Sequence, residues 1–486
     1  MRNFLTIGVL ILLAFVVFAL LSVKPPKPNA LNPPDVAVSS DLINPDGNIL
    51  WVNLEGLRPD HIGAYGYPNT TTPNIDSLAG ESLLFERCYA QSSDTYRTLA
   101  TMLTSEYPGC YPGQKGANRA QGFRDIIDSE QQSLVDIVRE SGRTTSAIIS
   151  NSSLMNDPGF SKGFDYFDSA LIKDESGKER IRRSSETYNS VESWLSRNFR
   201  RSFFLFVQFA DPAGPYNADS NFADQLSDMP RYKSPKTLPV STTDSRPFNQ
   251  IPVHHGIATD PPPIGEMMRS YDAEIVEVDY FIGKILDQLD RLDIGDNTMV
   301  VISSSHGESL GEHGYYFSSG GNVYNNQTHI PLLIHVPGSN SARIHDVVEG
   351  IDIMPTILSH ADINPGRELS GMNLLRFCTK PKLKSEYPAF AYWDKPNIYS
   401  VIKGNYELIS TDNLEFKLYH VMNDPGEIYD LYSDDDPIAQ DLKRYLETWI
   451  RDNLQKSLER EITSSTEPSG KKAPLTVPPP EDIERK

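Results

Sequence analysis

Three residues that follow or open predicted elements carry the chemistry this chain could do. Glu55 follows the apolar run NILWVNL (48–54), and His306 stands in SSSHGE after TMVVIS (298–303). Thr95 lies in AQSSDTYRTLATMLTSEYP, at the predicted start of a helix, where unpaired N–H groups and the helix dipole favour an anion. A carboxylate, an imidazole and a hydroxyl on one edge can hold a divalent cation. That cation would lower the hydroxyl's pKa and polarise a phosphoryl or sulfuryl oxygen. Each residue also has a plainer role: Thr95 as an N-cap, Glu55 as a surface carboxylate, His306 as a turn histidine.

Convergence requires a scaffold that gathers strand ends. Besides the two runs above, TSAIIS (145–150), FFLFVQF (203–209) and IPLLIHV (330–336) read as buried strands. Between them, Thr72-Pro73 sets an N-cap with proline at the first helical position. SLVDIVRESG (133–142) reads as a helix stopped by Gly142, and Tyr271 to Leu292 carries apolar residues at three- and four-residue spacing. Strands alternating with helices predict an α/β fold, a mostly parallel sheet sandwiched by helices. In such folds ligands sit beyond the carboxyl ends of the strands, where Glu55 and His306 fall. Residues 217–263 form a long polar, Pro-rich stretch. It either shapes a substrate mouth or is an inert excursion.

The 486 residues, 38% hydrophobic, suffice for one large core with a smaller appended layer, or for two domains. A formal net charge of −20 repels phosphate backbones and argues against nucleic-acid binding. Near the start, Arg2 precedes an apolar run from Phe4 to Val23, closed by Lys24. About 20 apolar residues match one bilayer-spanning helix, longer than a typical signal-peptide core. We therefore expect a transmembrane anchor at 1–23 and a single-pass membrane protein with an extracytoplasmic body; a cleaved signal is the alternative. Residues 24–47 read as a Pro-rich linker, 48–375 as the α/β core, 376–455 as a smaller C-terminal α+β subdomain and 456–486 as a disordered tail. Of three cysteines, Cys88 and Cys110 close the shorter loop if a disulfide forms; free buried thiols are the alternative. Asn69, Asn151 and Asn326 head N-glycosylation triplets.

Several segments, in order over residues 48–435, resemble the sulfatase family of the alkaline-phosphatase superfamily. NILWVNLEGLRPDHIGAYGYPNTTTPNIDSLAGESLLFERCYAQ looks like the family's N-terminal metal-binding strand and first helix. TSAIISNSSLMNDPGFSKGFDYFD, FFLFVQFADPAGPY, VVISSSHGESLGEHG and VYNNQTHIPLLIHVPG are similar to the later core. GIDIMPTILSHADI and LYHVMNDPGEIYDL resemble its closing helix and C-terminal subdomain. The resemblance implies a metal-dependent hydrolase or transferase of sulfuric or phosphoric esters, using Ca, Mg, Mn or Zn. Its ligand would be an anionic ester on a glycan or lipid headgroup.

The family's nucleophile is a Cys or Ser, oxidised to formylglycine, in a Cys/Ser-x-Pro-x-Arg segment. That position is Thr95 here, with neither the Pro nor the Arg in register. Threonine nucleophiles occur in lipoteichoic acid synthases and phosphoethanolamine transferases, which also place a Glu where Glu55 stands. Elsewhere the family's metal-binding Asp-His pair is Ser305-His306, and its Asp-Pro-His-x-Pro-Tyr motif has Ala213 for the histidine. After GEHG (311–314), where a Lys or His is usual, the chain reads YYFSSGGN. A hard cation needs several anionic or carbonyl oxygens, and Ser305 removes a full charge from that set. Losing a donor at Ala213 removes a group of the kind worth about two to three orders of magnitude in rate. Two readings follow. One is an enzyme with Thr95 as nucleophile and a metal on Glu55, Thr95 and His306; the other is a catalytically degenerate relative that binds an anionic glycan, lipid or protein partner. A third is a structural ectodomain with an empty cleft.

Overall fold

The computed structural model describes residues 38–466, apart from 108–131 and short stretches at 152–153, 155–158, 169–171, 174–176, 178, 181, 227–231, 243–247, 258–260, 381–386, 395–396 and 412–414. The apolar run at 4–23 and Cys110 lie outside the described residues. Among the described residues no helix is long and apolar enough to cross a membrane.

An eight-stranded sheet forms the core. In chain order its strands are β1 (Asn48–Leu54), β2 (Leu83–Tyr89), β3 (Thr144–Ile149), β4 (Tyr166–Asp168), β5 (Phe203–Phe209), β6 (Thr298–Ser304), β7 (His329–His335) and β8 (Ala342–Glu349). Their spatial order is β8-β2-β7-β6-β1-β5-β3-β4. Strand β1 is central and parallel to both neighbours, with Trp51 level with Phe206 on one side and Val301 on the other. Only β7 runs against its neighbours β2 and β6, so the sheet is mostly parallel as the alternation of elements requires.

Both faces are covered, which is why the central strands are apolar without a break. Ile49 and Trp51 pack with helices α2 (Thr95–Thr104), α3 (Leu134–Glu140) and α6 (Ile353–His360). Leu50, Val52 and Leu54 point the other way, toward α1 (Pro73–Ala79), α4 (Ser184–Asn198) and α5 (Ile264–Arg291). Helix α5 starts earlier than its Tyr271–Leu292 periodicity indicates, because Pro263 sits at its N-cap and Ile264 and Met267 continue the buried stripe.

A second, antiparallel sheet follows: β9 (Ala389–Asp394), β10 (Asn397–Lys403), β11 (Tyr406–Thr411) and β12 (Phe416–His420). Helix α7 (Pro437–Thr466) covers it, setting Ala439, Leu442, Leu446 and Trp449 against Phe390, Val401, Leu408 and Leu418. This helix runs to Thr466, past the boundary at 455 drawn from composition. Residues 39–47, grouped with the linker because of its prolines, are tied to the core. His360 Nδ1 donates to the Leu42 carbonyl at 2.7 Å, and Arg143 Nε donates to that of Gly47 at 3.1 Å.

Candidate active site

Glu55 leaves β1 at its carboxyl end, held by its own N–H donating to the Phe209 carbonyl of β5 at 2.8 Å. Gly56 follows at φ +80, and a Cβ there would stand 2.9 Å from the Pro212 carbonyl oxygen. Only glycine lets the Glu55 turn lie flat on the Asp211-Pro212-Ala213 loop. His306 comes from the end of neighbouring β6, where the Ser304 hydroxyl lies between the Leu54 and His306 carbonyls, within reach of either. Thr95 is the first residue of α2. Asp94, not Thr95, caps this helix, its carboxylate accepting the Arg97 N–H at 3.1 Å. The Thr95 hydroxyl is thereby spared for other partners.

Those partners are the two residues paired with it above. Thr95 Oγ1 lies 2.6 Å from Glu55 Oε1 and 3.0 Å from His306 Nε2, and all three residues are buried. His306 Nδ1 is 2.8 Å from the Gly307 carbonyl oxygen, which only accepts, so Nδ1 carries a proton. In the neutral ring Nε2 then holds the lone pair and faces the hydroxyl. The second carboxylate oxygen, Glu55 Oε2, accepts from Asn151 Nδ2 and Gln208 Nε2, each at 2.7 Å. Burial pushes the Glu55 pKa up. The hydrogen bond and charge of His306, with the bonds from Thr95 and Asn151, outweigh burial and hold it below its ordinary value.

Asn151 and Gln208 are site residues that motif reading passed over. Gln208 is the one polar residue inside FFLFVQF, a signal visible in the sequence. Asn151 heads a glycosylation triplet, but its amide is spent on Glu55; Asn326, heading another, is buried and donates to Ser309 Oγ at 2.8 Å. Arg97 stands 5.9 Å from the Tyr392 ring centroid and 5.8 Å from that of Trp393, joining α2 to the C-terminal sheet.

The positions read as degenerate fall beside this trio. Ser305 is fully buried, and its Oγ has no hydrogen-bond partner. Ala213 closes a short turn with its backbone against Gly56. Glu308 Oε1 accepts from the Tyr216 hydroxyl at 3.2 Å. Asp211 accepts the Ser184 N–H at 2.9 Å, and burial with the nearby Glu277 charge pushes its carboxyl to about 7. Neither carboxylate joins Glu55 and His306.

The Sulfatase family matches residues 47–363, and the N-sulphoglucosamine sulphohydrolase C-terminal family matches 311–463. This chain is a sulfatase-family protein. N-acetylglucosamine-6-O-sulfatase of Bacteroides thetaiotaomicron is 24% identical, covering 80% of this chain and 81% of that protein. Human N-acetylgalactosamine-6-sulfatase is likewise 24% identical, covering 79% and 81%. Among solved structures, phosphonate monoester hydrolase of Agrobacterium radiobacter aligns with a TM-score of 0.65 at 17% identity, covering 84% of this chain and 96% of its own. A chain solved with its substrate D-glucosamine-2-N,6-O-disulfate gives 0.66 at 17% identity, covering 84% and 98%.

Sulfatases in general use a divalent metal, and the donor set of this sulfatase does not fit one. Among the described residues no three Asp, Glu, His or Cys side chains converge. Among the described residues Glu55 is the single carboxylate at the trio, and three donors already occupy its oxygens. Calcium takes six to eight oxygens and magnesium a near-octahedral set, which one carboxylate, one hydroxyl and one imidazole do not supply.

Proposed function

We propose that this sulfatase-family chain is a membrane-anchored, extracytoplasmic hydrolase of sulfuric or phosphoric esters on glycans, working with an incomplete metal site. Thr95 is its nucleophile, His306 the base and Glu55 the carboxylate that holds the hydroxyl and faces the imidazole. The observation that carries this is Thr95 Oγ1 within hydrogen-bond reach of both side chains. A hydroxyl paired with an imidazole that is itself oriented by a third group, here the Gly307 carbonyl, is the arrangement of an activated nucleophile. Thr95 Oγ1 forms a bond to sulfur or phosphorus while the bond to the alcohol oxygen breaks. The threonine proton passes to His306 Nε2 and then to the departing alcohol. The imidazolium formed in between stands 3.6 Å from Glu55 Oε1. Water then repeats the attack and frees Thr95. The N-terminus of α2 faces the reacting anion with its positive end. The names of the two relatives favour a sulfated amino sugar as the ester.

The same site supports a second reading because, among the described residues, only Glu55 brings a carboxylate to His306. In that reading the chain binds an anionic glycan, lipid or protein partner and does not turn it over. The two separate when the purified body is assayed on sulfate esters, phosphodiesters and phosphomonoesters beside Thr95→Ala. Turnover that disappears with the hydroxyl supports the enzyme; no Thr95-dependent turnover on any of them leaves the binding protein.

A further inference from the structure

The described parts of the stretch 217–263 are fastened to the segment after GEHG and to α5. Asn249 donates its N–H to the Gly314 carbonyl at 2.8 Å, and Phe248 bridges to Tyr315, so the stretch is knitted to the segment after GEHG. Lys236 Nζ lies 3.3 Å from the Tyr316 hydroxyl. At its other end Tyr232 donates to Asp272 of α5. The same stretch brings His255, half-buried, against Tyr216 and Phe317. Its ring packs 4.9 Å from that of Tyr216, and its Nε2 lies 2.8 Å from the Phe317 carbonyl oxygen. Phe317 has φ +50, a left-handed backbone that a bulky residue adopts only under restraint, and such positions gather at functional sites.

Two glycines show how His255 sits relative to the trio. Gly56, next to Glu55, has room for no side chain because Ala213 lies against it; a Cβ there would be 3.0 Å from Ala213 Cα. Gly214, the next residue along, has room for none because of His255; a Cβ there would be 2.8 Å from His255 Cε1 and 3.4 Å from Nδ1. Glu55, Gly56, Ala213, Gly214 and His255 are thus in unbroken contact, and Ala213 offers only a methyl group at the middle of the row. Since the Phe317 carbonyl only accepts, Nε2 carries the proton and Nδ1 the lone pair. Burial holds this imidazole below its ordinary pKa, so it is neutral near pH 7.

We propose that His255 is a specificity-determining residue of the ester site, its Nδ1 accepting a hydroxyl from the alcohol part of the substrate. This rests on the hydrolase reading above and assigns to one residue the choice of esters whose alcohol is a polyol, such as a sugar, over esters of simple phenols. A hydroxyl donated to a half-buried lone pair discriminates because its absence leaves that acceptor desolvated and unmatched.

The test compares N-acetylglucosamine 6-sulfate, the ester class in the name of one relative, with para-nitrophenyl sulfate, which has no hydroxyl on its leaving group. His255→Gln keeps a nitrogen able to donate to the Phe317 carbonyl and moves the acceptor away from the Nδ1 position to its amide oxygen; His255→Ala loses both. We expect both variants to raise KM for the sugar ester about tenfold with a smaller change in kcat, the loss of one such hydrogen bond. KM for the aryl ester stays within about twofold on the same scale. His255→Gln indistinguishable from wild type on the sugar ester overturns the proposal, as does an equal loss on both esters. If wild type turns over neither ester, the hydrolase reading fails on its own. His255 is then judged by calorimetric binding of N-acetylglucosamine 6-sulfate. About tenfold weaker binding by His255→Gln supports the contact; equal affinity, or none in wild type, overturns it.

Discussion

Thr95 has one hydroxyl proton and two acceptors, and that competition defines the site. A proton given to Glu55 leaves the hydroxyl unreactive; a proton shared with His306 Nε2 prepares it for attack. Thr95→Ala removes the proposed nucleophile without uncovering Glu55, which keeps Asn151 and Gln208 as donors. We expect ester hydrolysis to fall by at least about 100-fold, with the melting temperature nearly unchanged, read by initial rates and calorimetry. Ser305 supplies the complementary experiment. It is buried beside His306 with an unmatched Oγ, so Ser305→Asp places a second carboxylate at the trio. After dialysis against manganese or zinc and then buffer, the variant should retain about one equivalent and wild type far less, measured by elemental analysis. A stoichiometric metal in wild type would show that the donor set described here is incomplete. Glu55, Thr95 and His306 were legible in the sequence because each directly follows a strand or opens a helix. Asn151 and Gln208 were not, because which amide reaches a buried carboxylate depends on the register of β1 against β5 and β3, set by contacts far apart in the chain.

At the scale of elements, the site depends on loops pressed together without side chains between them. Gly56→Ala puts a methyl group 2.9 Å from the Pro212 carbonyl oxygen and forces a left-handed backbone on alanine. We expect a loss of about 1–3 kcal/mol in chemical denaturation, and activity lost beyond what that stability accounts for. Asp272 on α5 is a second such point. It is fully buried and accepts from His61 Nδ1 at 2.5 Å and from the hydroxyls of Tyr67 and Tyr232. Asp272→Ala leaves three polar groups without their common partner. It should cost about 3–5 kcal/mol and expose 217–263 to limited proteolysis before the rest of the body unfolds. The five apolar runs became strands nearly at their expected bounds because burial on both faces leaves little choice of residue. Strands β2 and β8 were not legible. LLFERCY is broken by Glu86 and Arg87, and ARIHDVVE carries charge toward the edge of the sheet, where β8 has one neighbour.

For the whole molecule, we expect the attachment of the C-terminal sheet to depend on pH. Glu407 and Glu427 are buried against each other, and Glu427 Oε2 accepts the Asn325 N–H at 2.7 Å, joining this sheet to the core. Burial pushes Glu407 to about 7, against the lowering effect of its hydrogen bonds to Glu427 and Ser400; burial and the charge of Glu407 push Glu427 upward. At the seam, burial raises Glu349 to about 8 with the help of Asp352, itself at about 7. Unfolded carboxyls titrate near about 4. From there to about pH 7 the folded protein therefore holds more protons than the unfolded chain, and stability falls as pH rises through that window. We expect a higher melting temperature near pH 5 than near pH 8, and a flatter profile for Glu407→Gln. The presence of a C-terminal α+β layer was legible from the order of its segments. Its buried acid pairs were not, because Glu407 and Glu427 read as ordinary surface residues until the sheet folds over them.

The docking of residues 39–47 sets a direction for the molecule. Ser202 Oγ donates to the Asp46 carbonyl at 2.7 Å, and Arg143 holds that of Gly47, so the incoming chain lies across the starting ends of β1, β3 and β5. Glu55, His306 and Thr95 sit at the finishing ends, a strand's length away, about 23 Å for the seven residues of β1. If the apolar run at 4–23 holds the chain in a bilayer, the tether enters the body on the face opposite the trio. Detergent release of the body should leave its activity on soluble esters unaltered.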